Sequence, residues 1–209
     1  MKIGALFGLY LVITDPAVGY ENCAAAAVRA GTRFIQLRMK NEPRERVRDV
    51  AVRLRRITAG TRSALIINDD PALAAEIGAD GVHLGQDDMP IPEARERFPQ
   101  LKIFGLSTHS VAQVEAAREL APDYIGLGPV YATPTKKNAP ALGLETLGKM
   151  AAAAPCPAVA IGGINAENLA DVLRAGARNY SVVRAVCAQA DPYAAILRLQ
   201  AIWEKTVKA

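Results

Sequence analysis

The segment Asp123-Tyr-Ile-Gly-Leu-Gly-Pro-Val-Tyr-Ala-Thr-Pro-Thr-Lys-Lys137 decides how the rest of the chain is read. Its first half, Tyr124 to Pro129, is a short apolar run cut by glycines and a proline, the pattern of a buried strand that ends at a loop. The second half puts Thr133, Thr135, Lys136 and Lys137 on a loop running to about Gly143, and loops this long inside a compact domain usually bind something. Hydroxyls beside ammonium groups suit an anion, most simply a phosphate. A solvated loop with stray lysines is the alternative for this segment taken alone.

Outward from that strand, the same rhythm recurs. Leu11 to Asp15, Phe34 to Lys40, Ala64 to Ile67, Gly81 to Gln86, Lys102 to Leu106, Pro157 to Ile161 and Tyr180 to Arg184 are further apolar, strand-like runs. Between them lie helical patterns, such as Val47, Val50, Ala51, Leu54 and Ile57, where the arginines fall on the opposite face. Gly31, Gly78 and Gly176 close three of the helices, Asp70-Pro71 and Ser110 with Gln113 open two others, and Asn165 is expected to cap the helix carrying Leu169, Val172 and Leu173. Eight strand–helix units in one chain argue for a (β/α)8 barrel as a single domain over residues 1–209. An open doubly wound sheet is the competitor, but no G-x-G-x-x-G follows a strand.

With 209 residues, 51% of them hydrophobic, the chain can bury one sizeable core. Its net charge of +4 comes mainly from a cluster between Arg44 and Arg62 that is interleaved with acids and free of aromatics, which argues against nucleic acid as a partner. Cys23, Cys156 and Cys187 have neither zinc-site nor disulfide-framework spacing, and no apolar run reaches the roughly 18 residues needed to span a bilayer. A soluble cytoplasmic protein without nucleic-acid or membrane partners is expected; oligomeric state leaves no signature.

In a barrel of this kind, chemistry sits at the C-terminal strand ends. The polar residues without a structural explanation fall there: Gln36, Arg38 and Lys40 on one face of the second strand, Asn68 and Asp69 after the third, Asp88 after the fourth, Ser107 after the fifth, then the Thr/Lys loop, Gly162-Gly163 and Arg184. Asp69 and Asp88, with no cysteine or histidine pair nearby, suit a hard oxygen-seeking cation such as Mg2+; two solvated loop aspartates are the alternative. Arg38, Lys40 and Lys136 would add positive charge suited to a departing diphosphate, while the glycines after strand seven and the backbone after strand eight suit a second phosphate. His83 reads as a strand-packing residue and His109 as a turn residue.

These residues also resemble a known family. QLRMK at Gln36 to Lys40, NDD at Asn68 to Asp70, DGVHLGQDD at Asp80 to Asp88, GLSTH at Gly105 to His109, GPVYATPTKK at Gly128 to Lys137 and IGGI at Ile161 to Ile164 together resemble thiamine phosphate synthase over essentially the whole chain. The resemblance implies the (β/α)8 fold and a transferase that condenses 4-amino-2-methyl-5-(diphosphooxymethyl)pyrimidine with 4-methyl-5-(2-phosphooxyethyl)thiazole or its 2-carboxy form, giving thiamine phosphate and diphosphate. It implies Mg2+ on Asp69 and Asp88. Gln36, Arg38, Lys40, Asn68, Ser107 and Lys136 would hold the pyrimidine and its diphosphate, with Arg38, Lys40, Ser107 and Lys136 in the catalytic roles. Thr133, Thr135, Gly163, Val183 and Arg184 would meet the thiazole phosphate. The implied mechanism is dissociative, with diphosphate leaving before the thiazole nitrogen attacks. Some relatives carry serine where Arg184 stands, so its side-chain contact is the least secure part of the pattern. The alternatives are a thiazole tautomerase on the same barrel, which needs no metal and diphosphate set, and a non-catalytic sensor.

Overall fold

The structure, a computed structural model, describes residues 3–133 and 140–207. Eight strands form a closed barrel in chain order: β1 (Leu9–Ile13), β2 (Phe34–Leu37), β3 (Ala64–Asn68), β4 (Gly81–Leu84), β5 (Ile103–Thr108), β6 (Tyr124–Leu127), β7 (Ala158–Ile161) and β8 (Asn179–Val182). Every pairing is parallel, and β8 closes on β1 through Leu9 opposite Tyr180. Around it run α1 (Tyr20–Arg29), α2 (Arg44–Thr58), α3 (Pro71–Glu76), α4 (Ile91–Arg97), α5 (Val111–Leu120), α6 (Gly143–Ala153), α7 (Leu169–Arg174), the single turn α8 (Arg184–Cys187) and α9 (Pro192–Val207). No helix among the described residues is long and apolar enough to cross a membrane.

Strand parity divides the apolar residues into two cores. Alternate residues such as Leu11, Ile35, Leu65, Ile67, Val82 and Phe104 face outward under the helices. The others, including Tyr10, Val12, Phe34, Ile66, Ile103, Tyr124 and Val159, fill the interior. At the N-terminal end, Asn179 stoppers the barrel: its carbonyl oxygen accepts from the Phe7 and Gly8 N–H groups at 2.7 and 3.0 Å, and its amide donates to the Ala5 and Ala158 carbonyls. Phe7, Phe34, Tyr10 and Tyr124 stack above it as an aromatic plug. That plug fills the N-terminal end of the barrel interior, and the main cavity lies at the opposite end.

Local chemistry accounts for most boundaries. Asp70 accepts from the Leu73 N–H and Ser110 from the Gln113 N–H, the two caps expected from sequence. Gly31, Gly78 and Gly176 take positive φ, as expected of helix ends. Four of the arginines of α2 are absorbed structurally, Arg44 and Arg48 by Glu76, Arg46 by Glu42 and Arg53 by Glu21. Several expectations shift: β1 runs from Leu9 to Ile13, β4 ends at Leu84 before Gly85 and Gln86, and Asn68 and Ser107 lie within β3 and β5 and not after them. β2 ends at Leu37, so Arg38 and Lys40 stand on the loop beyond it, and the Thr14 hydroxyl binds the Arg38 carbonyl there. Arg184 begins α8 and does not end β8. The cap position of α7 is Asn168, while the Asn165 carboxamide oxygen accepts from the Glu167 and Asn168 N–H groups one turn earlier.

Candidate active site

The C-terminal strand ends enclose a cavity of about 970 Å³, large enough for two small ligands at once. Of the residues expected at the site, Gln36, Arg38, Lys40, Asn68, Asp69, Asp88, Ser107, Thr133, Gly163, Val183 and Arg184 all line it. Thr135 and Lys136 lie outside the described residues. The barrel therefore gathers around one cavity residues separated by as much as 148 positions in the chain, from Gln36 to Arg184.

On the β2 to β4 side the wall is ionic. Asp69 takes a φ of 64°, a left-handed turn that carries its carboxylate back over the strand ends, and its N–H donates to the His83 carbonyl at 2.8 Å. There Lys40 forms an ion pair with it. Asp88 accepts from the Gly85 N–H at 2.6 Å. Burial raises the Asp88 carboxyl above its ordinary value; the Gly85 N–H opposes the rise, and the neighbouring Asp69 carboxylate adds to it. Two carboxylates pressed together in this way would gain from a cation between them. Among the described residues no group of three or more His, Cys, Asp or Glu side chains could hold a metal. The pair therefore fits an ion that takes one or two carboxylates and draws its remaining ligands from water and substrate oxygens, as Mg2+ does. Burial lowers the Arg38 guanidinium from its ordinary value, and the Asp69 and Asp15 carboxylates oppose that shift. Arg38 is in effect a desolvated cation aimed at the same wall, where an arriving anion would offset its cost.

The opposite wall, after β7 and β8, is built from backbone. Gly162 and Gly163 have φ of 106° and 65°, and the Tyr131 N–H donates to the Gly162 carbonyl at 3.1 Å. A Cβ on Gly162 would stand 2.5 Å from Pro129 Cα, and one on Gly163 would stand 2.7 Å from Tyr131 Cβ. Glycine at both positions is what lets the loop after β6 lie against the loop after β7. The Asn168 amide donates to the Gly163 carbonyl at 3.0 Å and fixes that turn.

The floor holds residues that sequence reasoning assigned to packing. Gln36 Nε2 donates to the Tyr10 hydroxyl at 3.0 Å, and the Tyr10 and Tyr124 hydroxyls share a hydrogen bond of 2.7 Å. Tyr124 meets His83 Nδ1 at 2.9 Å, and His83 Nε2 meets Ser107 Oγ at 2.9 Å. His83 is thus a wall residue of the cavity, and so is His109, whose ring binds the Gly128 carbonyl. The signal for the floor was parity: Tyr124 shares its face with Gly126 and Gly128, and Gly105 stands opposite it in the register. A Cβ on Gly105 would meet the Tyr124 ring at 2.1 Å, so the missing side chain is the space into which the phenol extends. Ser181, also on this cavity, is buried and its hydroxyl has no hydrogen-bond partner within the described protein.

Comparison with known proteins agrees with this geometry. The family described as "Thiamine monophosphate synthase" matches residues 9–186. A thiamine-phosphate synthase from Anaeromyxobacter dehalogenans is 41% identical over 95% of this chain and 89% of its own length. Another from Albidiferax ferrireducens is 41% identical over 92% of this chain and 90% of its own. The solved structure of a thiamine phosphate pyrophosphorylase from Pyrococcus furiosus superposes with a TM-score of 0.88 at 33% identity, covering 96% of this chain and 97% of that one. A closed parallel barrel, the residues on its rim and these relatives together place the chain in the thiamine monophosphate synthase family of enzymes.

Proposed function

We propose that the cavity joins 4-amino-2-methyl-5-(diphosphooxymethyl)pyrimidine to 4-methyl-5-(2-phosphooxyethyl)thiazole, or to its 2-carboxy form, by a Mg2+-dependent dissociative transfer. The observation that carries this reading is the pairing of an ionic wall and a backbone wall on one cavity of about 970 Å³. A reaction that loses diphosphate and keeps a phosphate needs two anion sites of different character.

In this scheme the bond between the pyrimidine methylene and the diphosphate oxygen breaks first, and its electron pair leaves with the diphosphate. Arg38 and Lys40 face the charge that develops on that oxygen, with Lys136 assigned to the same task by its motif. Mg2+ held by Asp69 and Asp88 would offset the remaining diphosphate charge. Gln36 and Asn68 orient the ring, and Ser107 steadies the departing group. On the far wall, Thr133, Gly163, Val183 and Arg184, together with Thr135, hold the thiazole phosphate so that the ring nitrogen faces the methylene carbon. The nitrogen lone pair forms the new C–N bond, and the carboxy form also releases CO2. No protein nucleophile is needed: the Ser107–His83 pair continues to the Tyr124 hydroxyl. An isomerase acting on the thiazole alone would leave Asp69, Asp88 and Arg38 without employment, and nothing in the cavity favours it.

The test is release of diphosphate by the purified protein from the pyrimidine substrate. Release that requires the thiazole phosphate and Mg2+, with thiamine phosphate formed in equal amount, supports the reading. A change in the thiazole alone, without diphosphate, overturns it.

A further inference from the structure

Beneath the cavity, side chains from five strands are joined end to end: Gln36 of β2, Tyr10 of β1, Tyr124 of β6, His83 of β4 and Ser107 of β5. Both ends of this chain, Gln36 and Ser107, line the cavity, and the two tyrosines between them are 2% exposed. In such a chain each hydroxyl passes one proton forward and accepts one from behind, so its direction is a property of the whole. An ionised phosphate oxygen can only accept. Ser107 beside such a group must therefore donate to it and accept from His83 Nε2–H. A neutral imidazole protonated there has a bare Nδ1, which accepts from Tyr124. Tyr124 then accepts from Tyr10, and Tyr10 from the Gln36 amide. This is the direction the Gln36 Nε2 to Tyr10 contact takes, and it leaves the Gln36 carbonyl oxygen for the cavity. With a neutral imidazole, turning the Gln36 amide over would require all five groups to reverse and would point Ser107 lone pairs at the anion. Burial pushes both phenols above their ordinary value, so neither drops out of the chain by ionising.

We propose that these five side chains act as a polarity relay: an anion at Ser107 fixes, through His83, Tyr124 and Tyr10, which end of the Gln36 amide faces the ligand, and so selects a ring offering an amino N–H over one offering an oxo oxygen there. His83, Tyr124 and Tyr10 are positioning residues in this scheme. The anion at Ser107 and the choice of ring rest on the function proposed above; the chain of hydrogen bonds does not. An oxo oxygen opposite the Gln36 carbonyl would leave two buried acceptors facing each other, a mismatch that sites built on hydrogen bonds reject strongly.

The experiment compares kcat/KM for the 4-amino pyrimidine diphosphate and its 4-oxo analogue in the wild type, Tyr124→Phe and Tyr10→Phe. Each substitution removes one hydroxyl from the relay and keeps the ring. The wild type should prefer the amino ring by at least about 100-fold, and either variant should lower that ratio by at least about tenfold, in part through faster turnover of the oxo ring. Loss of activity toward both rings in the same proportion would overturn the proposal, since it would mark a merely structural role. Nitrogen-15 NMR of His83, with Mg2+ and inorganic diphosphate added to the wild type, gives an independent reading. The proton should sit on Nε2; a proton on Nδ1 alone overturns the relay even if a tyrosine variant fails to fold. If the wild type turns over neither ring, the synthase reading fails and the imidazole measurement alone decides on the relay.

Discussion

Around one cavity mouth, the ends of β2 to β4 present Arg38, Lys40, Asp69 and Asp88, whereas the ends of β7 and β8 present Gly162, Gly163 and Val183 beside Arg184. Both walls suit an anion, but they pay for it differently. The ionic wall keeps opposite charges close and partly desolvated, so it responds most strongly where charge builds up during a reaction. The glycine wall is fixed by loop packing, with Cβ-sized gaps already filled by Pro129 and Tyr131, so an anion held there would keep the same contacts through a reaction. In the proposed reaction the anion that leaves would sit on the first wall and the one carried through to product on the second.

The largest effects should come from the ionic wall. Asp69→Ala and Asp88→Ala should each lower kcat for diphosphate release by about 1000-fold at saturating Mg2+, in line with the several kcal/mol that a metal contributes to such charge. Circular dichroism should show the fold kept. Wild-type kcat in either variant would remove that carboxylate from the comparison. Arg38→Met should cost about 100-fold in kcat with little change in KM for the thiazole phosphate, because its contact strengthens as the diphosphate departs. An increase confined to KM would place Arg38 with uniform binding.

Gly163→Ala probes the other wall. The positive φ and the 2.7 Å approach to Tyr131 Cβ should cost about 1–3 kcal/mol of stability, measured by urea unfolding, and should raise KM for the thiazole phosphate by about tenfold. If kcat for diphosphate release fell instead, the two walls would not be separable. Arg184→Ser should raise the same KM by about tenfold at most, since serine keeps a hydroxyl donor and a typical net hydrogen bond is worth about 0.5–1.5 kcal/mol. The smallest effect sharpens the comparison within a single motif. Asp70 lies next to Asp69 but caps α3 through the Leu73 N–H. Asp70→Ala should lower Tm by about 2–4 °C through loss of about 1 kcal/mol, with kcat unchanged.

The barrel was readable because its signals are local and repeated: apolar runs of strand length, helical spacing between them, and glycine or an acid–proline pair at the joints. The ionic wall was readable for a related reason, since Asp69 and Asp88 have no capping partner that would explain them, whereas Asp70 and Ser110 do. The floor was not. Tyr10, Tyr124 and His83 look like ordinary members of apolar strands, and only closure of the sheet brings Tyr10 and Tyr124, 114 positions apart, within hydrogen-bond reach. Strand limits slipped at Arg38 and Arg184 because both follow strand-like residues directly, and their departure from the ladder is decided by loop contacts such as Thr14 to the Arg38 carbonyl. Asn165 and Asn168 are both competent caps, and the sequence alone does not rank them.

The space above Gly105 has a consequence for how this cavity could change over time. A side chain at 105 and a phenol at 124 exclude each other, with 2.1 Å between the added carbon and the ring. Any lineage that widens or recolours the cavity floor must alter both positions, and the intermediate with a side chain at 105 and the tyrosine still in place is the one that cannot pack. Shrinking residue 124 first is the passable route, and it passes through a protein whose floor has lost its central hydroxyl.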